Sequence, residues 1–170
     1  TVNGGNVLHN VYGGGAYGSV GDFNYDATGM PASLKTANTG TTNVNITGGT
    51  FGTNGHENGM IFGSSRGDVG APGGIHDKLA WVYDANVTIG TQSNEPSMTN
   101  PSIAGSVYGS GENGHTFHDA TVTIHSGKIG ITDTNVDGGA AYEYRGNVYG
   151  SGCGTDKYDS DNDGTEDTYN

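Results

Sequence analysis

Two kinds of short string recur in this chain in a fixed order, and that order limits the fold more than any single residue does. Four strings look alike: Asn10-Val11-Tyr12-Gly13-Gly14-Gly15, Met60-Ile61-Phe62-Gly63-Ser64-Ser65, Ser106-Val107-Tyr108-Gly109-Ser110-Gly111 and Asn147-Val148-Tyr149-Gly150-Ser151-Gly152. Each sets a β-branched residue before an aromatic one, then glycine and small residues. Between them lie Asn43-Val44-Asn45-Ile46-Thr47, Asn86-Val87-Thr88-Ile89 and Thr121-Val122-Thr123-Ile124. Repetition on this scale marks a fold built by adding equivalent units along one direction.

The Val-x-Ile strings alternate apolar and polar residues, the period of a half-buried strand. Val44 and Ile46 face one way, Asn45 and Thr47 the other. Gly49-Thr50-Phe51-Gly52 and Gly127-Lys128-Ile129-Gly130 follow two of these strands as a second apolar step after a glycine corner, whereas Gly90-Thr91-Gln92 lacks that step. If like strings lie over one another at about 4.8 Å, Val11, Ile61, Val107 and Val148 form an aliphatic ladder. Tyr12, Phe62, Tyr108 and Tyr149 then form an aromatic ladder on the opposite face.

Glycine accounts for 33 of 170 residues and hydrophobic residues for 31%. That is too little for a thick globular core or a helical bundle. A thin stack of strands reconciles sparse apolar content with regular apolar spacing. The expected fold is all-β, a parallel β-solenoid (β-helix) of stacked rungs with long Gly/Asn/Pro-rich loop insertions. A β-sandwich is the alternative, but a sandwich has no reason to repeat its sequence. Tyr12 to Phe62 is 50 positions, Phe62 to Tyr108 is 46 and Tyr108 to Tyr149 is 41. The excess over a bare rung goes into loops at 21–41, 64–79 and 91–102. Short helical turns are expected at Ala32–Ala37 or His76–Val82. Residues 1–155 read as the repeat domain and 156–170 as an acidic, calcium-loop-like tail.

The net charge is −12, and the six Lys and Arg residues are scattered singly. No basic stripe meets phosphates, so nucleic acid is excluded as a partner, and anionic membranes are disfavoured. No apolar run reaches a membrane-spanning length, so membrane insertion is not expected. Cys153 is the one cysteine. It rules out an internal disulfide and reads as a small residue in a glycine-rich strand.

Asp159-Ser160-Asp161-Asn162-Asp163-Gly164-Thr165-Glu166-Asp167 sets carboxylates at alternate positions with glycine sixth. A hard cation takes about six to eight oxygens, and a tight glycine turn converges them. Asp159, Asp161 and Asp163 offer side-chain oxygens, Thr165 a backbone carbonyl, and Asp167 the ninth position. The twelfth position is Asn170 rather than a bidentate glutamate. Calcium is the expected cofactor; absence of heat on titration to millimolar calcium removes the expectation.

His115, His118 and Asp119, with His125 nearby, could serve a transition metal, as could His56 and Glu57, but nothing in the sequence fixes them at ligand spacing. They read as loop histidines. Arg66-Gly67-Asp68 matches an integrin-binding tripeptide and reads more simply as a polar turn. Asn45-Ile46-Thr47 and Asn86-Val87-Thr88 are formal glycosylation sequons inside expected strands, where they read as outward polar ladders. The chain has no Gly-x-Ser-x-Gly elbow, P-loop or His-Glu-x-x-His motif. Only Arg66 and Arg145 could act as the arginine base of a β-helical lyase. An enzyme is therefore not expected.

The aromatic and Val-Thr-Ile strings resemble glycine-rich repeats in large surface or secreted proteins of Bacteroidetes-type bacteria. The acidic loop resembles those of dockerins and thrombospondin type 3 repeats. The first resemblance implies an extracellular or cell-surface, repetitive, non-catalytic role. The first and last aromatic strings place the two ends of the chain in nearly the same phase of the repeat, as in a slice of a longer solenoid or a head-to-tail stack. The expected function is an extracellular structural protein that stacks on copies of itself into a filament or surface layer, stabilised by calcium. The alternatives are an adhesin that holds glycans and a polysaccharide-active β-helix enzyme.

Overall fold

The structure is a computed structural model that describes residues 1–53, 58–68, 70–71, 75–92, 100–130 and 146–154, with the backbone of 157–158 and 167–168. Among these residues the regular elements are all β-strands apart from one 3-10 turn at His76–Lys78. No helix among them is long and apolar enough to cross a membrane.

The largest sheet is organised by β5 (Thr41–Phe51). Its first half pairs in parallel with β8 (Asp84–Ile89), from Thr41↔Asp84 to Ile46↔Ile89. Its last two residues pair with β9 (Ser102–Ile103). β12 (Ala120–Ile124) continues from β8, β13 (Lys128–Ile129) continues from β9, and β1 (Val2–Val7) pairs with β5. Apolar residues at every second position turn one face inward, so Thr42, Val44, Ile46 and Gly48 are buried while Thr41 and Asn43 are exposed. Val44, Ile46, Phe51, Val87, Ile89 and Ile103 form the core with Ile61 and Val107. Full burial of each such side chain contributes about 1.5–3 kcal/mol.

Ile61 and Val107 come from a second sheet, built of the aromatic strings: β2 (Val11–Tyr12), β6 (Ile61–Phe62), β10 (Val107–Tyr108) and β14 (Val148–Tyr149). The buried Thr42 hydroxyl donates to the Gly63 carbonyl at 2.6 Å and ties the two sheets together. Among the described residues there are also three two-stranded sheets. β7 (Trp81–Val82) pairs in parallel with β11 (His115–Thr116). β3 (Phe23–Tyr25) with β4 (Pro31–Leu34), and β15 (Lys157–Tyr158) with β16 (Asp167–Thr168), are antiparallel.

This arrangement corrects the sequence expectation of a parallel β-solenoid of stacked rungs. The sheets are mixed in direction: the largest is curled into half a barrel, and the others are short. The physical reason lies partly in β5. A corner was expected at Gly49, but a φ of +102° there bends the strand without ending it. The two halves of β5 then carry different partners, and the sheet curls. The insertions matter too. Segment 21–41, expected as loop with a helical turn at Ala32–Ala37, contributes the hairpin of β3 and β4 and the first residue of β5. The turn expected at His76–Val82 is cut short at Lys78, and Trp81–Val82 is extended.

Candidate functional site

The like strings meet in one register. Val11 pairs with Ile61, Ile61 with Val107, and Val107 with Val148; the aromatic residues pair the same way. The ring of Phe62 stacks on Tyr12 at 5.1 Å and on Tyr108 at 4.9 Å, and Tyr108 stacks on Tyr149 at 4.9 Å, with interplanar angles of 4°, 14° and 11°. Parallel offset rings at this spacing attract beyond their buried area. The spacing requires glycine after Tyr12, Phe62 and Tyr108. A carbon added at Gly13 falls 2.1 Å from the Gly63 carbonyl oxygen, and one added at Gly63 falls 2.1 Å from that of Gly109. The backbones approach where a side chain would otherwise stand.

Burial changes along the ladder. Ile61, Phe62 and Val107 are wholly buried and Tyr108 nearly so, whereas Val148 is 45% and Tyr149 38% exposed. Burial, followed by the neighbouring Cys153 thiol, pushes the Tyr108 phenol above its ordinary range. The Tyr12 phenol is pushed up to about 12, first by burial and then by its bond to Glu112. Its hydroxyl donates to Glu112 Oε2 at 2.5 Å.

A second row of rings lies beside the first. Trp81 stacks on His115 at 4.5 Å, and Tyr83 stacks on Phe117 at 5.6 Å and on His118 at 5.2 Å. Next to Trp81 and His115 is a cleft of about 440 Å3, whose polar lining includes Glu112, Asn113, Thr116 and Cys153.

His118 Nδ1 lies 2.9 Å from Asp84 Oδ1 and 3.4 Å from Asp119 Oδ2. The donor atoms of the three residues fall within 4.8 Å of one another. Asp84 Oδ1 also accepts the Asp119 backbone N–H at 3.1 Å. An oxygen so engaged belongs to a clip between two strand starts, and an imidazole among carboxylates is not a calcium donor set. The hydrogen bond to Asp84, then the charge of Asp119, raises the His118 pKa. The folded value is the higher one. The clip's contribution is therefore complete below the unfolded imidazole value of about 6.5 and is lost as pH rises through the folded value. The thermal midpoint of the wild type is expected to exceed that of His118→Gln by a margin that shrinks between about pH 6 and pH 8. A margin that does not change over that range contradicts the clip.

The expected calcium ligands Asp159, Asp161, Asp163 and Thr165 lie outside the described residues, as do His56 and Glu57; Asp167 is placed only as backbone in β16. Arg66-Gly67-Asp68 is pinned. Arg66 and Gly67 donate N–H to the carbonyls of Gly15 and Ala16, and Asp68 accepts the Tyr17 hydroxyl at 2.9 Å. In the sequon Asn86-Val87-Thr88, the Asn86 side-chain amide donates to Asn43 Oδ1 at 3.3 Å across the paired strands.

Two features escape the sequence reading. The apolar step missing after Gly90 is supplied by Ser102-Ile103, where Ile103 pairs with both Phe51 and Ile129. The signal is a β-branched apolar residue followed by small residues, displaced by an insertion. The Trp81–His115 pair was hidden because its two members differ in residue type. No protein-family model, curated protein or solved structure matches the chain significantly.

Proposed function

We propose that this chain is an extracellular structural protein whose sheets extend beyond a single copy, building a filament or surface layer, with calcium at the acidic loop as a stabiliser. One observation carries the reading. Like strings add in the same parallel register across four strands, and among the described residues the series ends at β14, where Val148 and Tyr149 are exposed. An uncovered strand edge is a template for another strand. The reading rests on that edge and does not need the solenoid architecture corrected above. Sparse Lys and abundant Gly, Asn and Thr support the extracellular setting. Sedimentation and negative-stain microscopy at high protein concentration with calcium are expected to show long assemblies that shorten with chelator. Discrete single particles under both conditions contradict the proposal.

A second reading, a glycan-binding surface, is favoured by the ring pairs beside the cleft lined by Glu112 and Asn113. Sugar faces stack on aromatic rings while their hydroxyls take nearby polar groups. This reading expects binding on a glycan array that is lost with Trp81→Ala. An array with no bound glycan removes it.

A further inference from the structure

Resting on the assembly reading, we propose that β14 of one copy receives β2 of a second copy in the register Val148↔Val11 and Tyr149↔Tyr12. The hydrogen bonds inside the sheet supply the template. Val11 and Gly13 donate N–H to the carbonyls of Met60 and Phe62; Ile61 and Gly63 donate to those of Ser106 and Tyr108; Val107 and Gly109 donate to those of Asn147 and Tyr149. By the same alternation the N–H groups of Val148 and Gly150 point away from β10, and no described residue accepts them. The carbonyls of Asn10 and Tyr12 point away from β6, and no described residue donates to them. One edge thus presents two donors at the spacing at which the other presents two acceptors. A strand edge left with such groups gains most from a partner that pairs them all.

Glycine gives an independent reason. Gly13, Gly63 and Gly109 must lack a side chain, because a carbon added at each falls 2.1, 2.1 and 2.5 Å from the carbonyl oxygen of the next string's glycine. A carbon added at Gly150 meets nothing within 4 Å, and Gly150 is not among the glycines with positive φ. Nothing described in this chain requires glycine at position 150. A fifth string laid over it does, and Gly13 of a second copy would bring the carbonyl that Gly150 brings to Gly109.

The larger sheet agrees with the same displacement. Val2 pairs with Ile46, Ile46 with Ile89, and Ile89 with Ile124, a column in which Ile46 and Ile89 are wholly buried and Ile124 is exposed. Val2 and Ile124 are thus the two ends of that column, as Val11 and Val148 are the two ends of theirs. The partner is a second copy because its β2 edge carries the acceptors, the aromatic ring and the glycine that β14 lacks above it. With −12 on every copy, like-charge repulsion opposes the contact. Salt or a divalent cation is expected to promote it.

Gly150→Val tests the proposal, read by thermal unfolding and by sedimentation with calcium at about 0.15 M salt. The variant is expected to keep the wild-type thermal midpoint measured in dilute solution and to lose the fast-sedimenting material. Register is read separately in a Cys153→Ser background, by mixing copies that carry Asn10→Cys with copies that carry Asn147→Cys. In-register neighbours lie within disulfide reach, so oxidation is expected to give a heterodimer. The mixture of Asn10→Cys with Ser151→Cys is expected to give none. A wild type that never assembles overturns the assembly reading. A wild type that assembles while Gly150→Val assembles equally, or that cross-links only through Ser151→Cys, overturns this contact and leaves the assembly reading standing.

Discussion

Gly63→Ala is expected to unfold the chain or bring it close to unfolding. The added carbon falls 2.1 Å from the Gly109 carbonyl oxygen and 2.9 Å from Val87 Cγ2. The first neighbour is backbone, so no rotamer change relieves the clash. Moving β6 away from β10 breaks the bonds from Ile61 N–H to Ser106 and from Gly63 N–H to Tyr108, both 3.0 Å. It also opens the Phe62–Tyr108 stack. Overpacking alone costs about 1–3 kcal/mol, and each strained or lost hydrogen bond adds about 0.5–1.5 kcal/mol. The sum, about 2–6 kcal/mol, takes much of the stability of an ordinary domain of about 5–15 kcal/mol at its lower end. Gly150→Ala is the matched control, because its carbon meets nothing in a single copy. Urea unfolding is expected to separate the two by most of that amount, and equal midpoints contradict the ladder.

Phe62→Ala is expected to cost about 3–5 kcal/mol, the range for a buried aromatic truncated to alanine. Phe62 is wholly buried, carries a ring on each face, and sits on a strand paired on both edges. The cavity cannot collapse without shortening the ladder. Tyr149→Ala, which removes an exposed ring with one stacked neighbour, is expected to cost much less in dilute solution. Similar losses from the two substitutions, measured by denaturant unfolding, contradict the burial gradient along the ladder.

What the sequence made legible follows from which interactions repeat. The pairings of Val11, Ile61, Val107 and Val148, and of Val44, Val87 and Val122, place like residues opposite one another, so a comparison of strings finds them. The pairing of His115 with Trp81 joins unlike residues and leaves no such trace. Ile103 was missed because an insertion moved it away from its counterparts Phe51 and Ile129. The architecture was misjudged for a different reason. Whether a glycine ends a strand or bends it depends on what each half of the strand pairs with. At Gly49 those partners, β8 and β9, arrive from residues 84–89 and 102–103. The hairpin of β3 and β4 was missed because its pairing is local and antiparallel, and nothing elsewhere in the chain repeats it. The candidate edge itself shows only weakly in the sequence. Gly150 looks like Gly13, Gly63 and Gly109, and only coordinates reveal that it alone faces open space.

Amide hydrogen exchange at Val148 and Gly150, followed as protein concentration rises, is the most direct measurement of whether β14 takes a second copy. The account predicts fast exchange at both amides in dilute solution and protection in concentrated solution with calcium, while Val107 and Gly109 stay protected throughout. Fast exchange at Val148 and Gly150 in the assembled material, or full protection of both already in the dilute single copy, contradicts it.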